Sequence, residues 1–328
     1  MYTKPLLFSL ICLSASPAMA ALSENKGISG EVSLSTAYKS TNSNFNTDAN
    51  AVNTNNTTHG EQDKETQLLP LGSVAYTFGG QLDKQFYAGT SRSDIAIGTL
   101  ALELGYKQQL ENGTVIDASF LPTIMSGETW SDPFVTNQTR QETDEKGNAY
   151  RLKLGNIANS QVSLDMAYAV KDIENERSGL ESGLSVEQSN QLKRDSTSIY
   201  LKGDYKLSLN KTTFLIPSIN YIKNNADGDA NSFTSWGTEL SLFKIINRHQ
   251  LALTAGYKNR DYQASHPIYN KTRNDDEMSI FAAYEYKNIM NWQNWSLISF
   301  AGFKQSDSNI EFYDEDQWLV SVGLSHQF

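Results

Sequence analysis

Trp318-Leu319-Val320-Ser321-Val322-Gly323-Leu324-Ser325-His326-Gln327-Phe328 closes the sequence and decides how the rest is read. Successive side chains of a strand point to opposite sides. Trp318, Val320, Val322, Leu324, His326 and Phe328 therefore share one face, and Ser321, Gly323, Ser325 and Gln327 share the other, with Leu319 alone out of pattern. One side is apolar and the other small or polar. A length of about eleven residues suits a tilted strand that crosses a bilayer.

The same alternation recurs upstream. Segments are expected at Ile28–Ser40, around Val74-Tyr76-Phe78, at Gln85–Arg92, through Leu100-Leu102-Leu104-Tyr106, and at Ile116-Ala118-Phe120. They continue at Tyr150-Leu152-Leu154, Val162–Val170, Ile199–Leu207, Leu215-Ile219-Tyr221, Trp236-Leu240-Leu242, Leu251–Tyr257, Met278–Tyr286 and Trp295–Lys304. With the closing segment this predicts an all-β fold, an antiparallel transmembrane β-barrel of about 14 strands, with twelve as the alternative. Long polar loops are expected at Thr41–Thr66, Met125–Gly147, Asp172–Asp195, Asn224–Phe233, from after Tyr257 to Asp275, and at Gln305–Asp316. Short turns such as Glu111-Asn112-Gly113 alternate with them, except after the third segment. That parity puts the short turns in the periplasm and the long loops outside.

Met1–Ala20 reads as a secretory signal peptide: Lys4 supplies the positive region, Leu6–Leu13 the apolar core, and Ala18-Met19-Ala20 the cleavage site. The rest, residues 21–328, reads as a single barrel domain. The one cysteine, Cys12, falls in the leader, so disulfide and thiolate chemistry are not expected. Without Lys4, 26 basic residues face 37 acidic ones, a net charge of −11, which argues against nucleic acid as a partner. No apolar run is long enough for a membrane helix. Hydrophobic residues make up 39%, low for one large core and natural for a barrel greasy on one face only.

Two aromatic belts are expected at the membrane interfaces. Tyr38, Tyr150, Tyr168, Tyr221, Trp236, Tyr257 and Trp318 fall at outer ends; Phe78, Tyr106, Tyr205, Tyr286, Trp295 and Phe328 fall at inner ends. The opposite face gathers charge of both signs. Glu31, Glu103, Asp117, Arg151, Lys153, Asp165, Lys202, Asp204, Glu239, Lys258 and Glu285 are the candidate pore-lining residues, with Lys39, Lys107, Lys206 and Lys304 beside them. Such a wall either orders water in a channel or pairs off inside a filled barrel.

Asp227, Asp229 and Asn231 space their oxygens as a calcium loop begins, but the glycine and the glutamate that complete such a loop are missing, so an ordinary turn is the better reading. No metal and no cofactor is expected. A hydrolase would need a serine–histidine pair with an orienting group, and none of His59, His249, His266 and His326 has a serine placed convincingly beside it.

The ends of the chain, a leader and a terminal strand finishing on Phe328, resemble those of Gram-negative outer-membrane β-barrels. Leu69–Gly72, Gly98–Tyr106 and Ser126–Pro133 are similar to stretches in a family of uncharacterised gammaproteobacterial outer-membrane proteins of this length. The first resemblance implies location in the outer membrane, contact with its lipid and lipopolysaccharide, and recognition of the last strand by the barrel-assembly machinery. The second carries no catalytic or ligand residues. The expected function is a passive, porin-like channel for small hydrophilic solutes, with a weak preference for cationic or neutral ones. A plugged structural or adhesive barrel is the first alternative and an outer-membrane lipid hydrolase the second. A homo-oligomer is compatible with either barrel reading.

Overall fold

The computed structural model describes residues 22–23, 25–49, 51–91, 95, 101–122 and 127–328. The expected signal peptide with Cys12, and Arg92, Gly98 to Leu100, Met125 and Ser126, lie outside the described residues. Sixteen strand segments follow in order: β1 Gly27–Asn42, β2 Gln62–Phe78, β3 Lys84–Thr90, β4 Leu102–Gln109, β5 Val115–Pro122, β6 Gly127–Trp130, β7 Glu142–Gly155 and β8 Val162–Ile173. The second half comprises β9 Ser196–Tyr205, β10 Leu207–Asn210, β11 Thr213–Ala226, β12 Phe233–Ile246, β13 His249–His266, β14 Lys271–Lys287, β15 Trp295–Ser308 and β16 Glu315–Gln327.

Each strand pairs antiparallel with its neighbours, and β16 returns to β1 through a ladder from Glu31 opposite Gln327 to Asn42 opposite Asp316. β6 continues the β5 stave along β7, and β10 continues the β9 stave along β11. The ring therefore closes on 14 staves. Closure pairs strand with strand around the ring, the condition for strands to sit in hydrocarbon.

The greasy faces point outward. Leu164, Leu201 and Leu253 are 40%, 44% and 47% exposed, and so are not the centre of a packed core. The outer belt stands at the expected height, with Tyr38 against Trp318 at 5.1 Å and Tyr221 against Trp236 at 4.7 Å between ring centroids. At the inner rim Phe78 stacks on Phe86 at 5.4 Å and Trp295 meets His326 at 4.8 Å. Phe328 exchanges two backbone hydrogen bonds with Gly30. This lipid-facing band on a closed ring makes the chain an outer-membrane β-barrel.

Inner turns are tight. Asn247 and Asn288 take φ of 54° and 53°, a left-handed conformation that asparagine tolerates. The loops expected at Asp172–Asp195 and Asn224–Phe233 stand close to those bounds, whereas the others are shorter than the hydropathy pattern suggests. β2 already begins at Gln62, β7 at Glu142, and β6 occupies part of the Met125–Gly147 loop. β13 runs to His266 and β14 starts at Lys271, so the loop expected between Tyr257 and Asp275 is a turn of residues 267–270. β15 and β16 likewise extend into Gln305–Asp316. Above the bilayer both faces of a strand are wet, so hydropathy stops alternating while the backbone ladder continues.

Candidate functional site

The eleven candidate pore-lining residues all lie on the lumenal face of their strands. Two walls of different character result. On the first, Arg151 of β7 reaches Glu103 of β4 at 2.6 Å and Asp165 of β8 at 2.5 Å. Tyr87 of β3 donates to Asp117 Oδ1 at 2.6 Å and lies 2.9 Å from Glu103 Oε2. Lys107 closes on Asp117 at 3.5 Å, and Lys153 on Glu103 at 3.9 Å. Lys202 bridges Glu239 and Asp204, the latter at 3.8 Å. Glu103 is 1% exposed, so the Arg151–Glu103 pair has little access to water, whereas Lys107, Asp204 and Glu239 remain partly exposed. Removing one partner would strand another, as buried pairs do. Nearer the outer end Lys258 pairs with Glu277 at 3.1 Å and Lys304 with Glu315 at 2.9 Å.

The second wall is apolar. Phe214, Ile216, Phe243, Ala252, Ala283, Ile298 and Phe300 project inward from β11 to β15, and Phe214, Phe243 and Ala252 pack together. In the inner half of the barrel this wall borders a cavity of about 590 Å³, counting the part open to solvent. Glu31, Ser33, Leu71, Gly72 and Thr90 border it from β1 to β3, with Gln250 and Glu285 below the alanines. Glu31 also accepts a hydrogen bond from Ser325 of the closing strand.

Above the lumen the outer connections meet. Phe134, Leu192, Ala230, Ile310, Phe312 and Tyr313 form a buried cluster with Phe45, Leu184, Ile268 and Tyr269 packed against it. Those residues come from the connections after β1, β6, β8, β11, β13 and β15. Arg194, just before β9, lies 5.9 Å above the ring of Phe45, just after β1. In a ring of 14 staves those two positions are opposite each other, so the cap spans the mouth. The guanidinium of Arg194 donates to Glu176 Oε1 at 2.7 Å, Thr129 Oγ1 at 3.0 Å and the Trp130 carbonyl at 2.6 Å. Asp132 accepts from the amides of Phe134 at 3.0 Å and Glu181 at 2.9 Å. Arg140 lies 4.2 Å over the Trp130 ring, and burial lowers its pKa to about 10.

His266, 1% exposed, sits in this cap with Nε2 2.8 Å from Tyr313 Oη, while Nδ1 accepts the Ile268 amide at 3.2 Å. Burial first, and the Arg273 charge second, lower its pKa to about 3, so the ring is neutral. Of the other histidines, His249 Nδ1 is 2.8 Å from Tyr284 Oη and His59 is 3.8 Å from Glu311. Asn231 donates its side-chain amide to the Leu192 carbonyl at 2.8 Å, which ties the β11–β12 turn to the cap. The interface aromatics Tyr38, Tyr168, Trp236, Tyr257 and Phe328 are exposed on the outer face, with Tyr221 and Trp318 half-buried beside their ring partners.

Sequence reasoning missed the cap and the apolar wall. Signals existed for both. Phe214-Leu215-Ile216, Leu242-Phe243 and Leu297-Ile298 are apolar on consecutive positions, so each must place an apolar group inside the ring. Trp130, Phe134 and Phe312-Tyr313 are large apolar residues in segments otherwise built as solvated loops.

The profile of a family described as protein of unknown function (DUF2860) matches residues 27–327, and the chain belongs to that family. No curated protein matches the sequence. Among solved structures the chain is similar to an outer-membrane channel from Pseudomonas putida F1, at 11% identity over 93% of this chain and 97% of that one, with a TM-score of 0.48. It is also similar to a Pseudomonas aeruginosa FadL homologue, at 9% identity over 92% and 90% of the two chains, with a TM-score of 0.45. A loop-deleted OmpT, an outer-membrane protein of Vibrio cholerae, gives 10%, 92%, 99% and 0.42 in the same order.

Proposed function

We propose, for this member of a family of unknown function, that the barrel is a gated conduit for small solutes across the outer membrane, with the loop cap as its gate. The observation that carries this reading is the lumenal cavity bordered by Glu31, Ala252, Ala283, Glu285 and Phe300, open in part to solvent, beneath a cap held by side chains and short loop contacts. The ladder of the wall needs global unfolding to break, whereas the cap can part locally. The weak preference for cationic or neutral solutes rests on the excess of acidic over basic residues in the chain. No catalysis belongs to this reading; lipid and lipopolysaccharide are the partners of the outer face.

Planar-bilayer recording of the wild type and of Phe312→Ala tests it. Phe312 is 0% exposed and touches Phe45, Phe134, Tyr269 and Tyr313, so its loss opens a void in the cap. Rare, brief openings in the wild type and long-lived steps in the variant are expected. Silence from both proteins, once insertion is verified, refutes the conduit. That outcome favours the second reading, a permanently capped surface barrel, for which the complete burial of Phe312 and Leu192 is the supporting observation.

A further inference from the structure

Charge is unevenly spread around the inner rim. The turns at residues 207–215, 244–251 and 287–295 carry Lys211, Lys244, Arg248 and Lys287 and neither aspartate nor glutamate. The turns on the other half of the rim, at residues 78–84, 109–115 and 155–162, hold Asp83, Lys84 and Glu111. In a chain with an excess of acids, the first half is a local reversal of sign. Lys244 lies on the lipid-facing side of β12, one step below Leu242, and is opposite Thr213 of β11 and Leu251 of β13. His249 is exposed on the same side of β13, a diagonal neighbour of Lys244, with Nδ1 2.8 Å from Tyr284 Oη. Arg248 reaches from one turn to the next, donating from Nη1 to the Asn288 carbonyl at 3.3 Å and to Asn291 Oδ1 at 3.0 Å. In that next turn Met290 and Trp292 are 74% and 52% exposed.

That combination has a chemical meaning. A lysine at the foot of a greasy strand face lays its methylenes along hydrocarbon and lifts its ammonium to headgroup level. Bases gathered beside a membrane attract anionic lipid. The two partners of Arg248 are neutral and share Nη1, so the remaining donors of this exposed side chain stay available, in the fork geometry that suits phosphate. The same contacts tie the β12–β13 turn to the β14–β15 turn, which presents the bases as one surface. Bases meant only for water would need no apolar company, yet Leu242 and Leu251 lie directly above them and Met290 and Trp292 stand beside them. Glu285, the acid of β14 at this end, is buried on the lumenal side and offers no counter-charge to the outer face.

We infer that this half of the inner rim binds the headgroup of an anionic phospholipid in the periplasmic leaflet, with the phosphate at Lys244, Arg248 and His249 and the acyl chains along Leu242 and Leu251. The inference goes beyond the conduit reading and stands without it, since it concerns the lipid side of the wall.

Native mass spectrometry of the full-length protein released from mixed micelles tests it. Phosphatidylglycerol is the probe, phosphatidylcholine with the same acyl chains is the zwitterionic control, and glycerol 3-phosphate is the headgroup without chains. Phosphatidylglycerol adducts at least tenfold more abundant than those of either control are expected. Lys244→Gln combined with Arg248→Gln should reduce them at least tenfold, whereas Lys84→Gln, on the other half of the rim, should leave them unchanged. Lys244→Gln alone replaces the double variant if the latter does not fold. Equal retention of phosphatidylcholine, undiminished adducts in the rim variant, or an equal loss in Lys84→Gln overturns the assignment. Glycerol 3-phosphate retained as well as phosphatidylglycerol overturns it too, because the lipid chains would then contribute nothing.

Discussion

Replacing Arg194 with methionine isolates the polar staple of the cap. Methionine keeps much of the stem and loses every donor. Arg194 is 8% exposed, and its guanidinium serves Glu176, Thr129 and the Trp130 carbonyl. Glu176 would keep the Arg194 backbone amide at 2.7 Å but lose its counter-charge. Removing one member of a buried pair costs roughly 3–5 kcal/mol. The cap can open to water without unfolding the wall, so the lower end applies, about 3 kcal/mol. At about 1.4 kcal/mol per factor of ten, the open population should rise on the order of a hundredfold. Hydrogen exchange reads this directly. The Arg177 amide donates to the Ser131 carbonyl at 2.9 Å and the Glu181 amide to Asp132, both inside the cap, whereas Leu253 is in the wall. Arg177 and Glu181 should exchange about a hundredfold faster in the variant with Leu253 unchanged. Adding Glu176→Gln should recover part of the loss, because neither charge then remains. Unaltered exchange at Arg177 and Glu181, or acceleration that includes Leu253, would refute a cap that opens separately from the barrel.

Acid should loosen the cap through His266. Its pKa is lowered in the closed cap to about 3 from 6.5, so the open form binds the proton more readily; stability is complete above about pH 6.5 and falls as pH drops towards 3. Between pH 6.5 and 5 the loss is about 2 kcal/mol, read as faster exchange at Glu181 or more frequent openings, and His266→Gln should flatten the dependence over that interval. Leu253→Arg, at mid-height on the lipid face, should cost about 2–4 kcal/mol in unfolding measured from lipid vesicles. Gly30→Val should reduce the fraction of closed barrel seen on unheated gels, since a Cβ there would lie 2.5 Å from Phe328 Cζ and 2.7 Å from the Ser73 carbonyl oxygen.

The barrel was legible because lipid outside and a polar lumen inside impose period-two hydropathy on each crossing, and β8 and β16 carry it almost without interruption. β3 was the least readable because Tyr87, amphipathic, faces inward beside Phe86 facing out, which blurs the alternation. Some loops, such as the one after Tyr257, were read as too long because hydropathy reports the membrane and says nothing of a ladder such as Arg260 opposite Asp275 above it. The lumenal charges could be placed by parity alone. Their pairing could not, since Arg151 and Glu103 lie 48 residues apart and meet only once the staves close. The cap is the extreme case: Phe45, Leu192 and Phe312 belong to three connections, and no local pattern in one refers to the others.

Spin labels placed one at a time from residue 250 to 255 on β13, in vesicles, test the architecture most directly. Positions 251, 253 and 255 should be relaxed by oxygen dissolved in the lipid, and 250, 252 and 254 should be shielded from it. Loss of that alternation, or water-like accessibility at 251, 253 and 255, would contradict a ring whose greasy side faces the membrane.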